Sequence, residues 1–311
     1  MSKMIFPKNI KNGSKIAIIA PAGSVKEEQL RSTLNIIKDK GYEPVLGRSL
    51  YNKFQFGYEY SGTEEERSAD LNWAFNDDQI DAIWAARGGY GCQHLIKNVN
   101  IKNFLNDPKW YIGYSDNTVI NSFLFKNNVA SINGQTIKTS SFGVSEESYE
   151  DIFKIMNGSL PKYLVEDSQF NKNGEAKGQL IGGNLALIYA LLATKYAFKW
   201  KDNILFIEDI GENYYALDRM LMSLEMAGVF KKIKGLIVGG MINMGKEEEN
   251  KNYENSFDDL AYELIAKRIE NYDFPTLFRF PNGHIFENRP IIIGAEISLK
   301  VGKKNEVKYL K

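Results

Sequence analysis

Residues 15–41 read KIAIIAPAGSVKEEQLRSTLNIIKDKG and join a strand signal to a helix signal. Lys15–Pro21 is dominated by a continuous apolar run, which is typical of a strand buried on both faces of a parallel sheet. Ser24 and Glu27 have the spacing of a capping box, which predicts a helix that runs to about Lys40. That helix has one apolar stripe, formed by Leu30, Leu34 and Ile37. The stretch therefore predicts the first strand–helix unit of an α/β fold.

The alternation of strands and helices continues to about Phe125. Three further apolar runs predict strands: Tyr42–Leu46, Asp81–Ala86 and Trp110–Tyr114. Helices are predicted between and after them, the first opened by a capping box of Thr63 and Glu66. Strands that alternate with helices form a parallel, doubly wound sheet, in which ligands bind beyond the carboxyl ends of the strands. Arg87–Gly91 and Ser115 directly follow two of these strands, so both are candidate site segments.

The second half of the chain contains another series of strand and helix signals. Residues 140–178 are polar and turn-rich, which predicts a linker. The remaining predicted elements are strands at Asn203–Ile207, Lys234–Gly239, Pro275–Pro281 and Pro290–Ile293, and helices within Gln179–Tyr196, Leu217–Gly228 and Asp258–Asn271. Met244–Ser256 is charged and is predicted to be a solvated loop. We therefore divide the chain into a domain at 1–140, a linker at 141–177 and a domain at 178–311.

The composition excludes several classes of protein. The chain has 311 residues, which suits two domains, and Lys plus Arg (39) balance Asp plus Glu (39). A neutral chain lacks the basic excess of nucleic-acid-binding proteins. No apolar run is long enough for a membrane span, and the N-terminal apolar run is too short for a secretory signal. The single cysteine, Cys92, fits a reducing compartment. We expect a soluble cytoplasmic protein that binds neither nucleic acid nor membrane.

The chain has few histidines, which limits the residues that could act as an imidazole base or as zinc ligands. His94 and His284 are the only two histidines, so an imidazole base has two candidates. A three-histidine zinc site within one chain is excluded, and Cys92 offers no cysteine cluster. We therefore expect no zinc site of either kind.

Ser115 lies in the segment WYIGYSDNTVINSF, residues 110–123, between a predicted strand and a predicted helix. A serine at such a position is commonly a helix N-cap. The alternative is a nucleophile on a tight strand-to-helix turn, which lifts the hydroxyl above the sheet and directs backbone N–H groups toward it. The usual glycine two residues after such a nucleophile is replaced here by Asn117. Local sequence leaves both interpretations open.

A base and an acid for such a nucleophile have few candidates. His284 follows Pro-Asn-Gly in a predicted turn, whereas His94 falls inside a predicted helix and is expected to pack or to lie at the surface. Glu208 and Asp209 end a strongly apolar strand, where a carboxylate could orient an imidazole. Because side chains alternate along a strand, only one of the two acids can face the site. The local sequence does not choose between them.

Two glycine-rich segments are also candidates. Arg87–Gly91 lacks the Lys-Ser/Thr ending of a P-loop and the glycine spacing of a dinucleotide-binding turn. It is predicted either to bind an oxyanion or a substrate carboxylate through its N–H groups, or to be a tight turn that simply packs. Gly182-Gly183-Asn184 is equally open, and a turn before a helix is its simplest interpretation.

Taken together, these segments resemble the LD-carboxypeptidase family of serine peptidases, which includes the microcin C immunity peptidases. The resemblance covers nearly the whole chain and rests on five ordered motifs: SGTEEERSADLNWAFNDDQIDAIWAARGGYG, DPKWYIGYSDNT, LIGGNLAL, ILFIEDIGENYYALDRML and FPNGH. It implies a Rossmann-like N-terminal domain with a doubly wound parallel sheet, a smaller mixed α/β C-terminal domain, and a homodimer.

The resemblance also assigns functional residues. It implies a catalytic triad of Ser115, Glu208 and His284, and hydrolysis of the amide bond to the terminal D-alanine of murein tetrapeptide during cell-wall recycling. A serine-based hydrolysis through an acyl-enzyme would need neither a metal nor a cofactor. In that mechanism the oxyanion is held by backbone N–H groups. The donors expected here are Asp116 and one of Gly88 and Gly89, and the expected substrate-binding residues are Arg87 and Tyr90.

The sequence departs from the family at two places. Gly134-Gln135 stands where relatives usually have Gly-Pro, and His94 stands where many have an arginine. Both changes bear on the substrate pocket. Two alternatives therefore stay open: a microcin-type immunity peptidase that cleaves peptidyl or aminoacyl nucleotides, and a non-catalytic ligand-binding protein with the same two-domain cleft.

Overall fold

The computed structural model describes residues 3–245 and 257–310. Up to residue 156 the elements are β1 (Lys15–Ile19), α1 (Glu27–Asp39), β2 (Glu43–Leu46), β3 (Phe54–Phe56), β4 (Tyr58–Tyr60), α2 (Glu64–Asn76), β5 (Ala82–Ala85), α3 (Cys92–Leu95), β6 (Trp110–Ile112), α4 (Thr118–Lys126), β7 (Ser131–Asn133) and α5 (Glu146–Met156). After it they are β8 (Lys162–Val165), β9 (Gly174–Asn184), α6 (Leu185–Leu191), β10 (Ile204–Ile210), α7 (Tyr214–Met226), β11 (Gly235–Ile242), α8 (Asp259–Arg268), β12 (Thr276–Leu277), β13 (Ile291–Ile293), β14 (Glu296–Val301) and β15 (Asn305–Tyr309). The predicted loop Met244–Ser256 lies mostly outside the described residues.

The first sheet has the strand order β13-β7-β6-β5-β1-β2. Strands β2, β1, β5, β6 and β7 are parallel, whereas β13 runs antiparallel to β7. Both faces are covered: along β1, Ile16 and Ile18 face one apolar cluster, and Ala17 and Ile19 face the other. The predicted parallel, doubly wound sheet is confirmed. Its antiparallel edge strand comes from the C-terminal part of the chain.

The second sheet is mixed, as expected for the C-terminal domain. Its order is β12-β11-β10-β9-β14-β15-β8, with β9 to β12 parallel and the strands from β9 through β14 and β15 to β8 antiparallel. Neither the hairpin β14–β15 nor the 11-residue strand β9 is predicted from the sequence. Glycines and charged residues occupy much of these strands, so they lack a continuous apolar run.

The segment 141–177, which the sequence predicts to be a linker, includes regular structure. It contains α5 and β8, and α5 packs on the first sheet through buried apolar side chains. Tyr149, Ile152, Phe153 and Met156 are spaced at i, i+3, i+4 and i+7, which is the period of one helix face. The polar residues on both sides of this short helix obscure that period in the sequence.

The two predicted capping boxes have different outcomes. Thr63 caps α2, because its hydroxyl accepts from the Glu66 N–H while the Glu66 carboxylate accepts from the Thr63 N–H. The capping box predicted for α1 is wrong, since the N-cap of that helix is Lys26 and not Ser24. The Ser24 hydroxyl instead donates to the Glu59 carboxylate on β4. The Ser24 hydroxyl therefore hydrogen-bonds to a carboxylate that is distant in sequence and does not cap the helix.

The larger apolar cluster is shared by both sheets. It includes Ile16 and Trp84 from the first sheet and Phe206, Leu236 and Ile297 from the second. Within the described residues, no helix has the length and apolar character needed to cross a membrane.

Candidate active site

Ser115 lies on a tight turn between β6 and α4. Its φ is +62°, a left-handed conformation that is unfavourable for a residue with a Cβ and is found at strained functional turns. Gly113 permits the turn, because a Cβ there would lie 2.8 Å from Cγ of Asn117. The N-cap of α4 is Asn117, and Ser115 forms part of the preceding 3-10 turn. The helix-cap interpretation of Ser115 is therefore wrong.

His284 connects Ser115 to Glu208. Its Nε2 lies 3.1 Å from Oγ of Ser115, and its Nδ1 lies 2.7 Å from Oε2 of Glu208. His284 follows β12 in a loop, and Glu208 lies near the end of β10, so three separate segments bring the side chains together. An Nδ1–H that donates to the carboxylate leaves Nε2 as the acceptor for the serine hydroxyl.

The environment of His284 has opposing effects on its pKa. Burial of the ring lowers the pKa, but the charge and hydrogen bond of Glu208, together with the charge of Asp209, outweigh this effect. The resulting pKa is above the ordinary value of 6.5. Because Glu208 is only 1% exposed, its interaction with the ring is shielded from solvent.

Glu208 and Asp209 face different groups, in line with the alternation of side chains along β10. Asp209 accepts hydrogen bonds from Nδ2 of Asn184 at 2.8 Å and from the N–H of Ala186 at 2.9 Å. It therefore lies at the start of α6. Burial, together with the neighbouring charge of Glu208, raises the pKa of Asp209 to about 7.

Gly182-Gly183-Asn184 has a packing role, which resolves the open alternatives for that motif. A Cβ on Gly182 would lie 1.9 Å from the carbonyl oxygen of Phe206, and one on Gly183 would lie 2.5 Å from Oγ1 of Thr118. Asn184 caps α6 through Oδ1, which accepts from the N–H of Leu187 at 3.3 Å. The two glycines therefore let β9 approach β10 and α4 closely.

The loop Arg87–Gly91 lies against Ser115. A Cβ on Gly88 would be only 2.9 Å from Cβ of Ser115, so a larger residue could not occupy this position without a shift. The next glycine, Gly89, has φ +102°. This geometry brings backbone groups of the loop beside the serine side chain.

Two buried charged side chains hold this loop in place, and neither role is predicted from the sequence. Nη1 of Arg67 donates to the carbonyl oxygens of Pro21 and Gly91, at 2.7 and 3.1 Å. Oδ2 of Asp116 accepts from the N–H of Cys92 at 2.8 Å. Burial raises the pKa of Asp116 to about 6. Arg67 could have been found from its position on α2, where it is in phase with the buried Leu71.

Ser115 and His284 open into a cleft of about 400 Å³. Its wall includes two cationic side chains, Arg87 and Lys138, and no Asp or Glu among the residues the structure describes. Aromatic side chains also line it, namely Tyr58, Tyr90, Tyr114 and Phe142. Arg87 and Tyr90, both expected to bind substrate, are thus at the cleft.

His94 does not line the cleft and packs beside the rings of Tyr60 and Tyr90, with centroids 5.7 and 5.2 Å away. Its environment agrees with the packing role expected from the sequence. Across residues 3–245 and 257–310, no group of three or more His, Cys, Asp or Glu side chains could hold a metal ion.

Most of the chain is similar to known sequences. Residues 16–134 match the model of the LD-carboxypeptidase N-terminal domain, and residues 177–299 match that of the LD-carboxypeptidase C-terminal domain. A probable murein peptide carboxypeptidase of Bacillus subtilis is 29% identical over 97% of this chain and 93% of its own length. The murein tetrapeptide carboxypeptidase of Pseudomonas aeruginosa is 27% identical, covering 88% of this chain and 89% of its own.

Solved structures share the fold. A muramoyltetrapeptide carboxypeptidase from Oxalobacter formigenes superposes with a TM-score of 0.81 at 25% identity, covering 96% of this chain and 99% of its own. The microcin C7 self-immunity protein MccF superposes with a TM-score of 0.84 at 20% identity and covers 99% of both chains. At that identity the second likeness concerns the fold alone.

Proposed function

This chain belongs to the LD-carboxypeptidase family and is a peptidase, and from that premise we propose that it is a serine carboxypeptidase acting on murein tetrapeptide. The reaction is hydrolysis of the amide bond between an L-configured centre and the terminal D-alanine, in cell-wall recycling. The observation that carries the proposal is the hydrogen-bonded series from Ser115 through His284 to Glu208. The names of the relatives support the substrate class.

In the proposed mechanism, Oγ of Ser115 attacks the carbonyl carbon while Nε2 of His284 takes the hydroxyl proton. The imidazolium then gives that proton to the departing amine of D-alanine, which leaves an acyl-enzyme. Water attacks the acyl-enzyme with His284 again as the base, and this step restores the serine. Glu208 accepts from Nδ1–H throughout, which fixes the tautomer and stabilises the imidazolium.

The negative oxygen of the tetrahedral intermediate needs donors close to Ser115. We assign this role to the backbone N–H of Asp116 and to one from Gly88 or Gly89. The close packing of Gly88 on the serine side chain supports the assignment. A single such donor contributes about 3 kcal/mol of transition-state stabilisation. Arg67 and the Asp116 carboxylate act as positioning residues, since they hold the loop that supplies these donors.

The wider biological setting is also proposed. Arg87 and Tyr90 bind the peptide, because both line the cleft next to the nucleophile. The resemblance to the family supports a homodimer. The single cysteine, which is buried and unpaired, fits the cytoplasm as the compartment.

A second candidate function is cleavage of peptidyl or aminoacyl nucleotides, which would need an aromatic ring to stack on the base. Tyr90 and Phe142 line the cleft and are 44% and 37% exposed, so both rings are accessible. None of the four tryptophans is among the described lining residues. The fold shared with MccF is compatible with this candidate.

One experiment separates these functions. The purified chain is incubated with murein tetrapeptide and, separately, with a hydrolysable aminoacyl adenylate, and the products are identified by mass. We expect release of D-alanine from the tetrapeptide. Ser115→Ala should reduce turnover by roughly 10⁴ to 10⁶-fold with the fold retained, whereas the exposed control Ser159→Ala should not. Cleavage of the adenylate alone would favour the second candidate, and near-normal activity of Ser115→Ala would refute the serine mechanism.

A further inference from the structure

Lys138 is a buried cation on the cleft wall that the proposed mechanism does not use. The residue lies in the 3-10 segment Ile137–Phe142, lines the cleft and is 8% exposed. In the part of the chain that the structure describes, its ammonium contacts the ring of Phe142, 5.6 Å from the centroid, but has no carboxylate within ion-pair distance. Burial of an ammonium without a counter-ion is costly. The site is therefore short of an anion.

Lys138 is held close to the loop that contacts the nucleophile. Its backbone N–H donates to the carbonyl oxygen of Ala86 at 2.9 Å, directly before Arg87. Gly88, on the same loop, packs against Ser115. The ammonium-bearing segment and the serine thus flank one short stretch of backbone, and both face the cleft.

The second cation of the cleft, Arg87, is anchored to the backbone through one of its N–H groups and is less buried than Lys138. Nη1 of Arg87 donates to the carbonyl oxygen of Ser24 at 2.6 Å. The hydroxyls of Thr136 and Thr139, on the same wall as Lys138, are 2.8 Å apart and hydrogen-bonded to each other. Among the described residues, Lys138 is therefore the more buried of the two cations, and its ammonium has no hydrogen-bond acceptor. Arg87 keeps further N–H donors for the peptide.

We propose that Lys138 binds the free carboxylate of the residue that is cleaved off, and so makes the site selective for peptides with a negatively charged C-terminus. The inference rests on the proposed function, because it concerns the leaving residue of that reaction. The carboxylate supplies the missing counter-ion and accepts a charge-assisted hydrogen bond from the ammonium. Lys138 is thereby a specificity-determining residue of the cleft.

The charges around Lys138 allow a second test of the proposal, which is the pH dependence of carboxylate binding. Burial, together with the positive charge of Arg87, lowers the pKa of the Lys138 ammonium to about 8. Glu59 opposes this effect and Lys26 adds to it. The affinity for a carboxylate should therefore fall as the pH rises through about 8. Tyr58, Tyr114 and His284 face the same cleft, so the profile is interpreted only against Lys138→Arg, whose charge persists.

The test compares two peptides that differ in one group, the tetrapeptide with a terminal carboxylate and the same peptide with a terminal carboxamide. In the unaltered protein the carboxylate peptide should be strongly preferred. Lys138→Met, of similar length, should lower the ratio of the two kcat/KM values by about 30-fold, mainly through KM for the carboxylate peptide. Lys138→Arg and the exposed control Lys201→Met should keep most of the preference. An unchanged ratio in Lys138→Met, or equal losses on both peptides, would overturn the proposal.

A binding measurement keeps the two proposals separate. The intact peptides are titrated calorimetrically into Ser115→Ala and into Ser115→Ala with Lys138→Met. A preference for the carboxylate peptide that disappears with Lys138→Met supports carboxylate recognition even if the unaltered protein releases no D-alanine, in which case only the proposed function fails. If the unaltered protein releases D-alanine but the Lys138→Met variant keeps the preference for the carboxylate peptide, the proposed function stands and the inference about Lys138 fails. Absence of binding to Ser115→Ala, with that protein folded by circular dichroism, would overturn the inference about Lys138.

Discussion

At the scale of single residues, the pair His284 and Glu208 predicts the pH dependence of the reaction. In the proposed mechanism His284 must be neutral to accept the serine proton, so kcat/KM should rise as the pH rises through its pKa. Burial lowers that pKa, but the charge and hydrogen bond of Glu208 together with Asp209 raise it above 6.5 overall. The acid limb of the profile should therefore lie above pH 6.5.

Glu208→Gln removes the negative charge that raises the pKa. Its residual activity should show an acid limb at lower pH, together with a large fall in kcat, because the amide stabilises the imidazolium less well. Glu263→Gln, on the exposed face of α8, is the matched control and should leave the limb in place. The measurement is kcat/KM from pH 5 to 9, and an unmoved limb in Glu208→Gln would contradict the pairing.

Some residues of the candidate site could be predicted from the sequence and others could not, for physical reasons. Local sequence leaves Ser115 open between a helix cap and a nucleophile, and it limits the base to His94 or His284. The choice of Ser115 and His284 comes from the resemblance to the family. Alternation along a strand could say only that Glu208 and Asp209 diverge. Their actual partners depend on α6 and on the His284 loop, which are distant in sequence. Lys138 could not be predicted, since nothing in its polar segment indicates burial.

At the scale of elements, the capping box of α2 predicts a measurable loss of stability. Thr63→Ala removes the hydroxyl that accepts from the Glu66 N–H, and should lower the free energy of unfolding by about 1 kcal/mol. Ser145→Ala is the matched control, because Ser145 is the N-cap of α5 but its side chain makes no capping hydrogen bond. For this control, urea unfolding should show that the free energy of unfolding falls by only a few tenths of a kcal/mol. Equal losses would show that the hydrogen bond is not the stabilising interaction.

The elements also show which patterns predict structure from sequence alone. The parallel strands β1, β5 and β6 are buried on both faces and read as apolar runs, so they could be predicted. The hairpin β14–β15 has charged residues between its buried positions, and this weakens the signal. Local capping spacing failed at Ser24 because the partner of its hydroxyl, Glu59, is 35 residues away in the chain.

At the scale of the whole molecule, two features connect the two sheets. One is the apolar cluster that they share, and the other is the pairing of β13 with the first sheet. β13 follows the loop that carries His284, yet it pairs with β7 of the first sheet. Ile292 on β13 is fully buried in the cluster that also contains Trp84 and Phe206. The proposed N-terminal domain at 1–140 would lack both this edge strand and α5. Two domains joined only by a linker can unfold separately, whereas these two share a core.

We therefore expect one cooperative unfolding transition, with calorimetric and van't Hoff enthalpies in agreement. Ile292→Ala should destabilise the protein by about 2–5 kcal/mol and lower the temperature of that single transition without splitting it, because the residue belongs to the common core. The exposed Ile5, at 42% exposure, gives the control Ile5→Ala, which should shift the transition much less. Two resolved transitions in the unaltered protein, or a fragment 1–140 that folds cooperatively alone, would contradict a core that depends on both sheets.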